Sequence, residues 1–275
     1  MTTNEITSRQ NVRVKEAVKL RSARQRQRQG RFLIDGLREI GRALEAPSDL
    51  GMKFLEAFIC PALCRSDEAQ GVADRLRTTD AVVADVTPDV FEKLCFGERT
   101  DGVVVVAAMP ARRLDQLRLP PQPRVAVLEG LEKPGNVGAI LRSADGAGID
   151  AVLVADGRTD LMNPNTIRAS LGTVFGPHVC ETTTVEAISW LRTQKLPLFA
   201  ARPEATLLYS EADFRGGGAI VLGSEATGIS EPWQVEDVTG IRLPMCGSTD
   251  SLNVSATAAV LFYEALRQRG GEPPV

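Results

Sequence analysis

The residues best suited to chemistry fall in three polar segments, each lying just beyond an apolar, strand-like run. The first, LEGLEKPGNVGAILRSADGAGID, carries Asn136, Gly138 and Arg142. The second, AIVLGSEATGIS, carries Gly223, Glu225 and Gly228. The third, RLPMCGSTDSLNVSATAAVLFYEAL, puts Ser251, Leu252 and Asn253 at the head of an apolar helix. Taken singly, each residue has a structural explanation. Asn136, Ser251 or Asn253 can cap a helix, Gly138 can allow close helix–strand packing, Arg142 can lie on a helix surface and Glu225 in a polar turn.

Several chemistries are excluded by what the chain lacks. His178 is the only histidine and sits in FGPHVC, with no G-x-S-x-G to form a hydrolase triad. No G-x-x-x-x-G-K-[ST] is present, and GSEATGIS has the glycine spacing without the phosphate-binding lysine. No G-x-G-x-x-G follows the first strand of either half, and Cys60 and Cys64 have no histidine nearby to complete a zinc site.

Taken together, in this order and spacing, the three segments resemble the motifs of the SpoU/TrmH branch of the SPOUT methyltransferases, which methylate the ribose 2′-hydroxyl of RNA. Asn136–Asp145 resembles N-V-G-A-I-x-R-[ST]-A-D, Leu222–Ser230 resembles L-G-x-E-x-x-G-[LI]-S, and Leu243–Thr257 resembles [IL]-P-M-x-G-x-x-x-S-L-N-V-S-x-A. Ala226 stands where glycine is frequent, Asp250 where Glu or Ser is more common, and Thr257 at the usual alanine. The resemblance implies S-adenosylmethionine as cofactor, in a pocket walled by Gly223, Leu243 and Leu252 with Leu222, Met245, Ala200 and Ala201 nearby. It implies Arg142 as the group acting on the 2′-hydroxyl. A guanidinium gives up a proton only above about pH 12, so its expected role is to hold the adjacent phosphate and stabilise developing alkoxide. Asn136 and Glu225 would orient Arg142 or the ribose, and Ser251 and Asn253 would complete the polar rim.

Short apolar strands positioning these segments alternate with helices, which argues for a mostly parallel sheet covered on both faces, with ligands at the strands' carboxyl ends. The strands expected are RVAVLEG, AVLVADG, LPLFAAR, AIVLGSE and GIRLPM. The helices expected include VGAILRSADGAG, VEAISWLRTQK and NVSATAAVLFYEALRQR. Val254, Ala258, Leu261 and Ala265 form one buried stripe of the last. Upstream, residues 11–28 read as one basic helix ended by Gly30. FLIDGLREIGRAL has Leu33, Leu37, Ile40 and Leu44 at helical spacing. FLEAFI, AVVADV and GVVVVAAM read as strands and TPDVFEKLCF as a helix. The four prolines of Pro110–Arg124 read as a linker. The fold class is therefore α/β. Residues 1–109 form a smaller domain that resembles the L30e-like RNA-binding extension of this family, 110–123 a linker, and 124–275 the catalytic domain. The resemblance, not the periodicity, implies that the last is tied in a deep trefoil knot.

The net charge of −3 conceals an asymmetry: residues 9–42 hold eleven Lys/Arg and three Asp/Glu. A basic arm on an otherwise acidic chain points to a polyanion partner. Arg24, Arg26, Arg28 and Arg31 are its densest run, so RNA is the expected partner. With Phe32 the one aromatic residue there, stacking is not the expected mode. The L30e-like front domain favours large-subunit ribosomal RNA over transfer RNA. A transfer-RNA 2′-O-methyltransferase, a base methyltransferase and a non-catalytic RNA-binding relative are the alternatives. The SLNVS segment favours the ribose branch, and the set Asn136, Arg142, Asn253 favours an enzyme. Five scattered cysteines fit a reducing cytoplasm, and Cys60 and Cys64 read as buried free thiols. No apolar run is long enough for a membrane span, and MTTNEITSRQ has no signal-peptide core. The alanines of the last helix allow close helix approach, consistent with the homodimer usual in the family.

Overall fold

Eleven strands and nine α-helices alternate along the described residues of the computed structural model, which are 5–46, 52–97, 100–110, 112–176 and 178–271. In chain order the elements begin α1 (Val12–Lys19), α2 (Ala23–Gln29), β1 (Arg31–Asp35), α3 (Leu37–Glu45), β2 (Phe54–Ile59) and α4 (Asp67–Arg77). Then come β3 (Val82–Asp85), α5 (Pro88–Leu94), β4 (Val103–Ala108), β5 (Arg124–Glu129), α6 (Pro134–Gly146), β6 (Ala151–Ala155) and α7 (Pro164–Ala169). The chain ends with β7 (Val179–Thr182), α8 (Thr184–Thr193), β8 (Leu198–Ala201), β9 (Leu207–Leu208), β10 (Gly218–Leu222), β11 (Val238–Arg242) and α9 (Val254–Gln268). Contacts divide the chain into two units.

The first unit comprises residues 1–111 together with 162–177. Its four strands run in the order β1-β4-β2-β3, antiparallel except for β2 beside β3. Val14, Leu20, Leu33, Phe58, Phe91 and Val106 fill the core. The helix expected over FLIDGLREIGRAL is corrected. Arg31–Asp35 is a strand, and Gly36, at φ +97°, turns the chain before α3 begins. The single basic helix is corrected too: it breaks at Leu20–Ser22 into α1 and α2, and the αL conformation of Gly30 ends the second. Arg26 turns inward at 1 % exposure and donates from Nη1 to the carbonyls of Leu20 and Arg21, at 2.9 Å each. It caps the end of α1 and is not on the surface of the arm. Residues 162–177 pack here through the Phe32–Phe175 rings, 6.0 Å apart, and Arg168 Nη1, which donates to Phe96 O at 2.9 Å. The second unit, residues 112–161 and 178–275, thus lacks that excursion, in contrast to the unbroken 124–275 expected.

The second unit holds a seven-stranded sheet in the order β7-β6-β5-β10-β8-β11-β9, parallel at every recorded pairing. β6 and β10 are buried throughout and β5 from Val125 onward, as a parallel sheet with both faces covered requires. The expected linker is partly structured. Leu114, Leu117 and Leu119 pack on the core cluster, and Arg112 donates to Val179 O at 2.9 Å. Cys60 and Cys64 are buried free thiols, as expected; Cys95 and Cys180 are buried too, and Cys246 is exposed.

Candidate functional site

The carboxyl ends of β10, β8 and β11 lie side by side in the sheet, and a cavity of about 290 Å³ opens over them. Ala201, Leu222, Gly223, Glu225, Leu243, Met245, Ser251 and Leu252, all singled out from sequence, line it. Ala200 does not. Strand alternation turns it to the opposite face of β8, where it is fully buried among Val221, Ile229 and Trp233. Gly223 is required by close approach: a Cβ there would sit 2.3 Å from the Gly228 carbonyl carbon and oxygen. The Ser224 and Gly228 backbones pair across this turn at 3.1 and 2.9 Å, and Gly228 has φ +68°. Ala226 keeps a negative φ, so the turn takes alanine without strain.

Asn136, Glu225 and Asn253 meet. Lys133 is the N-cap of α6, and Pro134 opens the helix, which places Asn136 in its first turn. Asn253 is the N-cap of α9: its Oδ1 accepts from Ser255 N at 2.9 Å and from Ser255 Oγ at 2.6 Å. With the oxygen committed to the helix, the amide nitrogen faces away and donates to Glu225 Oε1 at 2.9 Å and to Asn136 Oδ1 at 3.4 Å. Asn136 Nδ2 donates to the same Glu225 oxygen at 2.7 Å. The other oxygen accepts from Lys133 Nζ. The hydrogen bond from Lys133 lowers the Glu225 pKa below its ordinary value; desolvation pushes the other way, and the Asn136 hydrogen bond adds to the lowering.

Arg142 lies on the exposed side of α6. It lines neither this cavity nor the cluster, and no hydrogen bond or ion pair joins its guanidinium to a described residue. Among the other basic residues expected to bind RNA, Arg24 and Arg28 are exposed, whereas Arg31 is half-buried, donates to Gln29 and lies 3.7 Å from Glu56.

Residues not singled out from sequence also build the site. Arg202 lines the cavity, and Gly240 lacks the side chain that would strike its guanidinium. Glu129, at the end of β5 and 6 % exposed, accepts from Thr184 Oγ1, Ser230 N, Ser230 Oγ and Trp233 Nε1 at 2.6–2.9 Å. It anchors the far end of the 223–230 turn to the strand that leads into Asn136. The one sequence signal for it was an acid closing an otherwise apolar strand.

The cavity fits S-adenosylmethionine. Leu222, Ile241, Leu243 and Leu252 offer apolar walls for an adenine, backbone is exposed at Gly223, and Glu225 and Asp250 face the space with negative charge suited to a sulfonium and an ammonium. The sequence profile of the SpoU rRNA Methylase family matches residues 123–263, and that of the MRM3-like substrate binding domain matches residues 11–105. The chain belongs to the SpoU rRNA methylase family. A crystal structure of an RNA 2′-O ribose methyltransferase is 42 % identical, with a TM-score of 0.80, covering 96 % of this chain and 99 % of that one. The SpoU methyltransferase AviRb from Streptomyces viridochromogenes, in complex with AdoMet, is 27 % identical, with a TM-score of 0.83 over 94 % of this chain and 98 % of its own. The Bacillus subtilis 23S rRNA (guanosine(2553)-2′-O)-methyltransferase RlmP is 26 % identical over 94 % of this chain and 98 % of its own length. The α/β fold, the parallel sheet and the preceding smaller domain stand as expected. No helix of the described residues is long and apolar enough to cross a membrane.

Proposed function

We propose that this chain transfers a methyl group from S-adenosylmethionine to a ribose 2′-hydroxyl of large-subunit ribosomal RNA. The observation that carries the reading is the meeting of Asn136, Glu225 and Asn253, from three distant segments, at the edge of a cavity suited to the cofactor. The naming of the B. subtilis relative supports ribosomal over transfer RNA. S-adenosylmethionine, when bound, would supply a sulfonium methyl for in-line transfer to the ribose oxygen, the S–C bond breaking as the O–C bond forms and the hydroxyl proton passing to water.

The chain's own residues do the rest. Leu222, Leu243, Met245, Leu252 and Ala201 enclose the adenine and exclude water from it. The Asn136–Glu225–Asn253 cluster is cross-linked before any substrate arrives, so its ordering cost is already met. Glu225 accepts a hydrogen bond from the ribose hydroxyl, with Ser251 on the rim beside it. Arg142 holds the neighbouring phosphate and stabilises the developing alkoxide. Six residues beyond Asn136, it projects roughly 120° around α6 from it, so the proposal includes a homodimer in which Arg142 of one copy serves the other's cluster. Arg24 and Arg28 hold the RNA backbone. The cytoplasm is part of the proposal, supported by four buried free cysteines. So is the deep trefoil knot, supported by the sheet order in which the late strand β10 lies between β5 and β8.

The test is transfer of labelled methyl from S-adenosylmethionine to total RNA of cells lacking the gene, followed by nucleoside analysis. Label in a 2′-O-methyl nucleoside of large-subunit RNA is the expected result. Label on a base, or none in any RNA, overturns the reading.

A further inference from the structure

A second cavity, of about 260 Å³, lies on the other side of the Ser224–Glu225 turn. Leu131, Glu132, Lys133, Asn136 and Ala226 line it, with Ser224 and Glu225 as the wall it shares with the cofactor cavity. We propose that this second cavity receives the acceptor nucleotide, its ribose against the Asn136–Glu225 edge and its phosphate at Lys133. The inference rests on the reading of the first cavity as the cofactor site.

Three features carry it. The first is position. Attack on a sulfonium methyl is in line, so the acceptor must come from the side of the methyl carbon opposite the sulfur. A space that abuts the cofactor cavity across the group that handles the hydroxyl meets that demand. In this reading Glu225 is that group, and it lines both spaces.

The second is chemistry. A ribose presents vicinal hydroxyls, and the shared edge offers the Asn136 amide and the Glu225 carboxylate, which pair with them as donor and acceptor. Of the three ammonium N–H groups of Lys133, one is given to Glu225, and no other bond joins that ammonium to a described residue. The other two remain for a phosphate oxygen. Glu132 is kept from that phosphate by its ion pair with Arg158.

The third is what the lining lacks. Leu131 and Ala226 are its apolar members, and among the described residues no ring lines it for a base to stack on. The cavity therefore reads the sugar and phosphate and leaves the choice of base to contacts elsewhere on the chain.

Filling the space tests this. Ala226 lines the second cavity and not the first, so Ala226→Trp occupies the one and spares the other. Two measurements are made: calorimetric affinity for S-adenosylhomocysteine, and methyl transfer to total RNA of cells lacking the gene. The expected result is S-adenosylhomocysteine affinity within about threefold of wild type and transfer reduced at least roughly a hundredfold. Lys133→Met should raise KM for the RNA about tenfold with S-adenosylhomocysteine affinity unchanged, and Lys133→Arg should restore it. Wild-type transfer by Ala226→Trp overturns the assignment. An equal loss of S-adenosylhomocysteine affinity overturns it too, because the two cavities would not be separate sites. A wild-type chain that binds no S-adenosylhomocysteine overturns the methyltransferase reading itself, which keeps the two failures apart.

Discussion

Glu129→Gln preserves the shape of a buried side chain and changes one oxygen to an amide nitrogen. Glu129 Oε1 accepts from Thr184 Oγ1 at 2.8 Å, Ser230 Oγ at 2.6 Å and Trp233 Nε1 at 2.9 Å, while Oε2 accepts from Ser230 N at 2.8 Å. A glutamine that keeps its oxygen on the three side-chain donors turns its NH₂ onto the Ser230 N–H, donor against donor. The flipped amide faces three donors instead and is worse. The smaller penalty is one lost bond to a charged acceptor together with a buried N–H left without a partner, about 2–4 kcal/mol. For a unit of this size that corresponds to a fall in Tm on the order of 5–10 °C. Urea unfolding followed by Trp233 emission in a Trp190→Phe background measures it, because the indole N–H is one of the donors. Ser230 closes the turn that carries Gly223 and Glu225, so S-adenosylhomocysteine affinity should fall as well, by about tenfold. A stability change under roughly 0.5 kcal/mol, within the range of ordinary surface substitutions, would refute the reasoning: Glu129 would then not hold these donors.

Gly223→Ala drives a Cβ into backbone at 2.3 Å; it should cost about 1–3 kcal/mol and weaken S-adenosylhomocysteine binding, whereas unchanged calorimetry would remove Gly223 from the cofactor wall. Arg142→Ala and Asn136→Ala chains should each be inactive alone, and an equimolar mixture refolded together should recover roughly a quarter of wild-type transfer if sites are shared across a dimer; no recovery would place both residues in one copy. Reversing Arg24 and Arg28 to Glu should weaken RNA binding and lower the salt slope by roughly one for each lost phosphate contact, and an unchanged slope would leave them a solvated face. The Glu225 pKa is lowered on folding, chiefly by the Lys133 hydrogen bond, so its contribution to stability is present above the ordinary carboxylate value and is lost as pH falls through the lower folded value. Lys133→Met should move that loss to higher pH, which acid denaturation of the two chains reads directly.

Much of the second unit was legible because strand length and helix period both had room to register. β5, β6, β8 and β10 are short apolar runs closed by glycine or a polar turn, and α9 carries its buried stripe for four turns. Where the signal misled, a local feature overrode it. Leu33 and Leu37 stand four apart, as on a helix, yet the chain between them turns at Gly36. The strand before it is buried on both faces, so it shows no alternation to separate it from a helix. β7 is a four-residue edge strand and β9 a bridge of two residues, both shorter than any pattern can mark. Arg26 lies in a run of alternating Arg and Gln, where composition says surface, and turns inward because the last carbonyls of α1 need a donor.

The site divides in the same way. Motif residues marked which segments matter, and backbone events between them decided how the segments join. Asn253 bears out the cap that the sequence offered for it, and the same side chain joins the Asn136–Glu225 cluster. Its cap on α9 fixes the oxygen toward Ser255, and that fixes the nitrogen toward Glu225. A serine at this position would keep the cap, since a hydroxyl accepts from the same first-turn N–H. It could not also reach Glu225 Oε1 while accepting, because a single oxygen replaces two atoms pointing apart. The cap and the bond to Glu225 therefore rest on one side chain, and only an amide of this length makes both: Asn253→Ser should leave helix α9 and overall stability nearly intact while freeing Glu225 from one of its two amide partners.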